Sequence, residues 1–137
     1  MPLPDEVREL FAGPNFGHLA TTRPDGSPHT VALWVGVEGE HVVFFTQPGS
    51  RKARNLARDP RVAISIVDGR NPYRGADVRG RVVHTLEGPK ALEIIDRLSM
   101  KYTGEPFPMR SGTVYLVECE HAGHRVLPFD HRPPPPA

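Results

Sequence analysis

A single cysteine, Cys119, excludes an intramolecular disulfide framework and fits a reducing compartment. Long apolar runs are missing as well: none approaches the roughly 18 residues needed to span a bilayer. The opening Met-Pro-Leu-Pro-Asp-Glu lacks the basic start and apolar stretch of a secretory signal, so a cytoplasmic protein without a membrane partner is expected. There is no excess of one charge either. Lysine and arginine total 17 against 16 for aspartate and glutamate, so no global field marks a nucleic-acid binder. Apolar residues make up only 38% of the chain, diluted by 16 prolines, and 137 residues suit one domain with a moderate core. No internal repeat is present. Residues 1–127 are expected to form that domain, and the Pro-rich tail over 128–137 to be mobile, because it suits neither a ladder nor a helix interior.

What is present is a succession of short β patterns broken by turn residues. Val7, Leu10 and Phe11 predict a short helix over residues 4–12. Strands are predicted over Phe16–Thr22, His29–Val37 and His41–Thr46, separated by Pro-Asp-Gly-Ser at 24–27 and Glu38-Gly39. After a helix opened by Ser50, with Ala53, Leu56 and Ala57 on one stripe, alternation predicts a strand over Arg61–Val67. A Gly-, Asn- and Pro-rich loop is predicted over Asp68–Gly75, then a strand over Ala76–His84. Pro89 suits a first helical turn, followed by a stripe of Ala91, Ile95, Leu98 and Tyr102. Thr113–Cys119 reads as the last long strand, with a short one at Arg125–Leu127. At least six strands and three helices point to mainly antiparallel β structure, most simply a small β-barrel with a few helices. Val31-Ala-Leu-Trp-Val35 is apolar at every position, so its second face needs a helix, a subunit partner or a flat ligand.

The chemistry concentrates in Phe44–Leu56. An apolar strand runs into Gly49-Ser50, with Ser50 at a helix N-cap position, and the helix opens with Arg51 and Lys52. Cations at that end oppose the helix dipole and typically cost a few tenths to about 1 kcal/mol. A bound anion compensates them, since free N–H groups and two cationic side chains hold a phosphate well.

Pro28-His-Thr-Val-Ala-Leu-Trp34, Val43-Phe-Phe-Thr46, Gly49-Ser-Arg-Lys52, Asn55-Leu56 and Arg58-Asp-Pro-Arg61 resemble the pyridoxamine-phosphate-oxidase-like split β-barrel proteins. They look closest to the flavin/deazaflavin oxidoreductases that use coenzyme F420. The similarity covers about residues 6 to 120. It implies the FMN-binding split β-barrel fold and a homodimer with two cofactors at the subunit interface. It also implies a cofactor phosphate on Arg51 and Lys52, with Ser50 and Thr46 as nearby donors. The cofactor ring would lie against Val31, Ala32, Leu33 and Trp34, where backbone amides meet its polar edge. True pyridoxamine phosphate oxidases carry an arginine and a lysine where this chain has Val31 and Gly36, and Gly75 replaces a flavin-contacting glutamine. Pyridoxamine-phosphate oxidation is therefore not expected. The F420 tail is strongly anionic, and Arg51, Lys52, Arg54 and Arg58, with Arg74 and Arg79, are candidates for a basic track along it.

Other candidates carry less. His121-Ala-Gly-His124 has no complete ligand spacing, so no metal is expected. Cys119 lies in a β pattern and reads as an inert buried thiol. Tyr73 and Tyr102 suit loop and helix packing better than a substrate cleft. No Gly-x-x-Gly fragment sits in a dinucleotide-fold context. The expectation is a reductase that transfers hydride between F420 and a small unsaturated organic substrate, without an assignable catalytic acid. The alternatives are an FMN-dependent oxidoreductase of the same fold and a non-catalytic flavin or deazaflavin carrier.

Overall fold

A computed structural model describes residues 2–136. Its elements run α1 (Asp5–Ala12), β1 (Gly17–Thr22), β2 (Pro28–Leu33), β3 (Gly36–Glu38), β4 (His41–Thr46) and α2 (Arg51–Arg58). They continue with β5 (Arg61–Asp68), β6 (Asn71–Leu86), α3 (Gly88–Thr103) and β7 (Thr113–Val126). The strands form one antiparallel sheet in the order β2-β1-β5-β6-β7-β4-β3. The two edge strands, β2 and β3, are consecutive in the chain and separated only by Trp34 and Val35. That joint forces the sheet to curl round and bring its edges together, which makes the expected barrel.

Inside the barrel, Leu10, Phe11, Leu19, Phe44, Ile64, Ile66 and Val117 form a buried core, with α1 supplying Val7, Leu10 and Phe11. A second cluster lies outside the barrel, where Ala91, Ile94, Ile95 and Leu98 of α3 cover Val43, Val114 and Leu116. The strand apolar on both faces is therefore β4, whose Val42 and Phe44 point inward while Val43 meets α3. The expectation placed this property on Val31–Val35. In the structure that stretch is broken after Leu33, and Thr30 and Ala32 are exposed between half-buried His29, Val31 and Leu33. Those exposed positions are the second face left for a subunit partner or a flat ligand.

Gly36 marks where α3 approaches most closely. A Cβ there would lie 2.5 Å from Leu98 Cδ2, so a larger residue would require the Leu98 side chain to shift.

Two expected loops are strand. Asp68–Gly75 reduces to a turn at Gly69-Arg70, with β6 already running from Asn71. Asp68 Oδ1 accepts from Arg70 N at 2.8 Å and Asn71 Oδ1 from Tyr73 N at 3.1 Å, so polar side chains close the turn and the ladder resumes. Similarly β7 runs unbroken past Cys119 to Val126, pairing Gly123 with Asp77. That glycine faces a neighbouring side chain, since its Cβ would lie 3.1 Å from Asp77 Oδ1. Beyond β7, Leu127 N donates to Tyr73 O at 2.9 Å, and the Phe129 ring packs on Tyr73 at 5.3 Å.

Candidate functional site

The turn after β4 is organised by two hydroxyls. Thr46 Oγ1 lies 2.9 Å from Ser50 Oγ, and Ser50 Oγ accepts from Ala53 N at 3.1 Å, which makes Ser50 the N-cap of α2 as its position suggested. Thr46 is buried and so fixes the cap from below. The first turn of α2 holds no acidic residue. Among the described residues, no ion pair involves Arg51 or Lys52. Burial holds the Lys52 ammonium below its usual value, which shows a cation already partly desolvated. The opposite face of α2 buries Asn55 and Leu56, while Ala57 is exposed rather than on the core stripe. Asn55 Nδ2 donates to Thr21 Oγ1 at 3.0 Å and ties α2 to β1.

The four residues of the supposed ring wall do not share one face. Val31 and Leu33 pack towards the core, Ala32 is exposed, and Trp34 lies outside the strand. Val31, Ala32 and Leu33 share the backbone of β2, whose edge away from β1 has no strand partner among the described residues. Unpaired N–H and C=O groups along such an edge are what the polar rim of a planar ligand requires.

Trp34 turns into an aromatic cluster instead. Its ring stacks on Tyr102 at 5.3 Å and meets Phe45 and Phe107 edge-on at 6.1 and 6.0 Å. A cavity of about 240 Å³ is lined by Leu33, Trp34, Phe45 and Phe107. Phe107 is held by Asp96, whose Oδ1 accepts from Phe107 N at 3.1 Å while its carboxylate pairs with Arg110 at 2.9 Å. Those hydrogen bonds keep the Asp96 carboxyl below its ordinary value.

α3 clamps the peptide that follows Trp34. The Tyr102 hydroxyl accepts from Val35 N at 3.1 Å and donates to Asn15 O. Lys101 Nζ donates to Val35 O at 2.5 Å and to Phe11 O at 3.1 Å. Burial, with a smaller contribution from Arg97, pulls the Lys101 ammonium down to about 8.

The remaining basic candidates disperse. Arg58 donates to Thr22 O, and Arg54 is exposed on α2. Arg74 pairs with Asp68 at 3.1 Å and Glu9 at 3.2 Å, so its charge is already compensated. Arg79 lies on the outer face of β6, beside a groove of about 250 Å³. Sequence reasoning passed over Phe45, Lys101 and Phe107, and assigned Tyr102 only to helix packing. The Val43-Phe-Phe-Thr46 alternation was the available signal for Phe45, since it places Phe44 inside and Phe45 out.

A family model described as pyridoxamine 5'-phosphate oxidase matches residues 3–122. A pyridoxine/pyridoxamine 5'-phosphate oxidase of Kineococcus radiotolerans is 37% identical over 76 residues, which cover 56% of this chain and 34% of that protein. The chain thus spans about a third of the length of that curated relative. A solved F420 reductase is 33% identical with a TM-score of 0.77, covering 88% of this chain and 98% of its own. A conserved hypothetical protein from Mycobacterium tuberculosis is 26% identical with a TM-score of 0.79, covering 98% and 94%. No helix among the described residues is long and apolar enough to cross a membrane. The curled antiparallel sheet, the Ser50-capped basic turn and the family match agree: the chain belongs to the pyridoxamine 5'-phosphate oxidase family.

Proposed function

We propose that this chain is an F420-dependent reductase, binding the deazaflavin by its phosphate and ring and reducing a small unsaturated organic molecule. The observation that carries this reading is the uncompensated pair Arg51 and Lys52 at the N-terminus of α2, within electrostatic reach of His29 on β2. Cations without carboxylates, a dipole of the same sign and a capped turn fit an anionic group. Arg51 and Lys52 hold the phosphate by charge-assisted hydrogen bonds, and the Thr46–Ser50 pair keeps the turn in shape. The backbone of Val31 to Trp34 orients the ring. When bound, the deazaflavin supplies hydride. The open aromatic cavity beside Trp34 offers a flat substrate an apolar wall of Leu33, Trp34, Phe45 and Phe107.

Three observations favour F420 over FMN. The F420 reductase is similar over nearly its whole length. Val31 and Gly36 stand where oxidases carry arginine and lysine, and Gly36 is buried against Leu98 of α3. A homodimer belongs to the same proposal: small residues such as Ala20, Thr30 and Ala63 line the outer face of the sheet and suit close approach of a second copy. The family match itself favours FMN as the second reading.

The test is a paired titration of the purified protein with FMN and F420, read by absorbance and fluorescence. F420 is expected to bind more tightly. Lys52→Ala should weaken it by about 1–3 kcal/mol, the range for a charged hydrogen bond. An unchanged affinity in that variant removes the site assignment. Reduced F420 that binds but is never oxidised by a panel of enones and quinones would leave a carrier.

A further inference from the structure

Opposite the basic turn, β2 carries a histidine that the phosphate reading does not use. His29 shares the alternation of Val31 and Leu33, so its side chain lies on the face of β2 that packs inward. It stands directly across from Thr21 in the β1–β2 ladder. Thr21 in turn accepts from Asn55 of α2. His29, Thr21 and Asn55 therefore form one polar patch under α2. Two atoms of this patch, His29 Nδ1 and Asn55 Oδ1, are buried without a hydrogen-bond partner.

The charges around His29 are all of one sign. Burial, then the positive charges of Arg23, Lys52 and Arg51, hold its imidazole below the ordinary histidine value. Arg23 comes from the β1–β2 turn, and Arg51 and Lys52 from α2. Asp25 is the carboxylate of this region: it lines a cavity of about 270 Å³ with Arg23, Pro24 and Arg51. Its Oδ1 is taken by Ser27, accepting from the backbone N at 2.9 Å and from Oγ at 2.6 Å. Among the described residues Arg23 enters no ion pair, like Arg51 and Lys52. Three cations and an imidazole from three elements thus converge with one carboxylate already engaged.

We propose that His29 and Arg23 complete the anion site, and that an organophosphate ligand binds there together with one proton, taken from solvent by the His29 imidazole. This rests on the phosphate-binding reading above and extends it. An anion between Arg23, Arg51 and Lys52 offsets the positive field that adds to burial in lowering the His29 imidazole. Only the imidazolium carries hydrogen on both nitrogens, so it donates to the anion whichever ring nitrogen faces it. Affinity therefore falls as pH rises through the value His29 takes in the complex, by up to about tenfold per pH unit, and levels off above it.

The experiment is calorimetric titration of the full chain with F420 between pH 6 and 8, in buffers of different ionisation enthalpy. The wild type, His29→Gln and Lys52→Ala are compared. Subtracting the variant from the wild type cancels protons that belong to the ligand. Uptake approaching one proton per site in the wild type and none attributable to the protein in His29→Gln is expected. Equal affinity and equal uptake in His29→Gln, with Lys52→Ala weakened, overturns the His29 inference and leaves the phosphate site standing. Unchanged binding in Lys52→Ala, or no binding of F420 at all, overturns the site itself. Should His29→Gln fail to fold, ¹⁵N shifts of the wild-type His29 ring decide: they move to the imidazolium position on adding F420, or the inference fails.

Discussion

Trp34 and Tyr102 stack with their centroids 5.3 Å apart and their planes within 8°, although one ends a strand and the other sits on the last turn of α3. The stack joins the barrel's covalent seam to the helix that covers its outer cluster. The Tyr102 hydroxyl reinforces it by accepting from the amide of buried Val35.

Tyr102→Phe keeps the stack and removes that acceptor. A buried amide left unpaired costs about 1–3 kcal/mol, so the denaturation midpoint should fall accordingly. Trp34 is the sole tryptophan, and its emission reports on the site directly. It should change little in Tyr102→Phe and clearly in Tyr102→Ala. Equal emission changes in both would show that stacking does not hold Trp34.

Ser50 separates stability from binding. Ser50→Ala loses the bond to Ala53 N and should cost about 1 kcal/mol. Ser50→Asp retains a capping oxygen and adds a charge favourable to the helix dipole, worth roughly 0.3–1 kcal/mol. The same charge repels an anionic ligand. Thermal melts and F420 titrations on Ser50→Asp should therefore move in opposite directions, and tighter binding in this variant would place the phosphate elsewhere.

Lys101 makes stability depend on pH in the alkaline range. Its value near 8 in the folded chain lies below the 10.5 of an unperturbed lysine. The unfolded state thus binds more protons between those values, and stability rises with pH across that window. Relative to Lys101→Met, the wild type should gain on the order of 1 kcal/mol between pH 7 and 10, after allowance for solvent screening. Urea midpoints of both proteins at the two pH values measure this. A constant difference would mean that the ammonium is not desolvated.

The parts legible in the sequence were those set by local chemistry. Ser50 before a basic helix announced a cap, and His41–Thr46 lay between the turn signals Glu38-Gly39 and Gly49-Ser50. The parts that were not legible depended on partners distant in sequence. Asn71 and Pro72 read as loop, yet Asn71 pairs with Asp68 of β5, and the ladders to β7 and β5 take up again at Arg74 and Gly75. Nothing near Asn55 in the sequence showed that Thr21 on β1 offers it a buried acceptor. The aromatic cavity was hidden for the same reason, because Trp34, Phe45 and Phe107 come from three separate segments. Gly36 gave no hint that Leu98 stands beside it.

The two-residue joint between β2 and β3 has a mechanical consequence. Both edges of the sheet meet at Trp34-Val35, and that joint is pinned by Lys101 and Tyr102. Loosening α3 would release both margins of the barrel together, so amide exchange along β2 and β3 would share one opening event. A molecule caught on the last turn of α3 would then govern how widely the seam gapes.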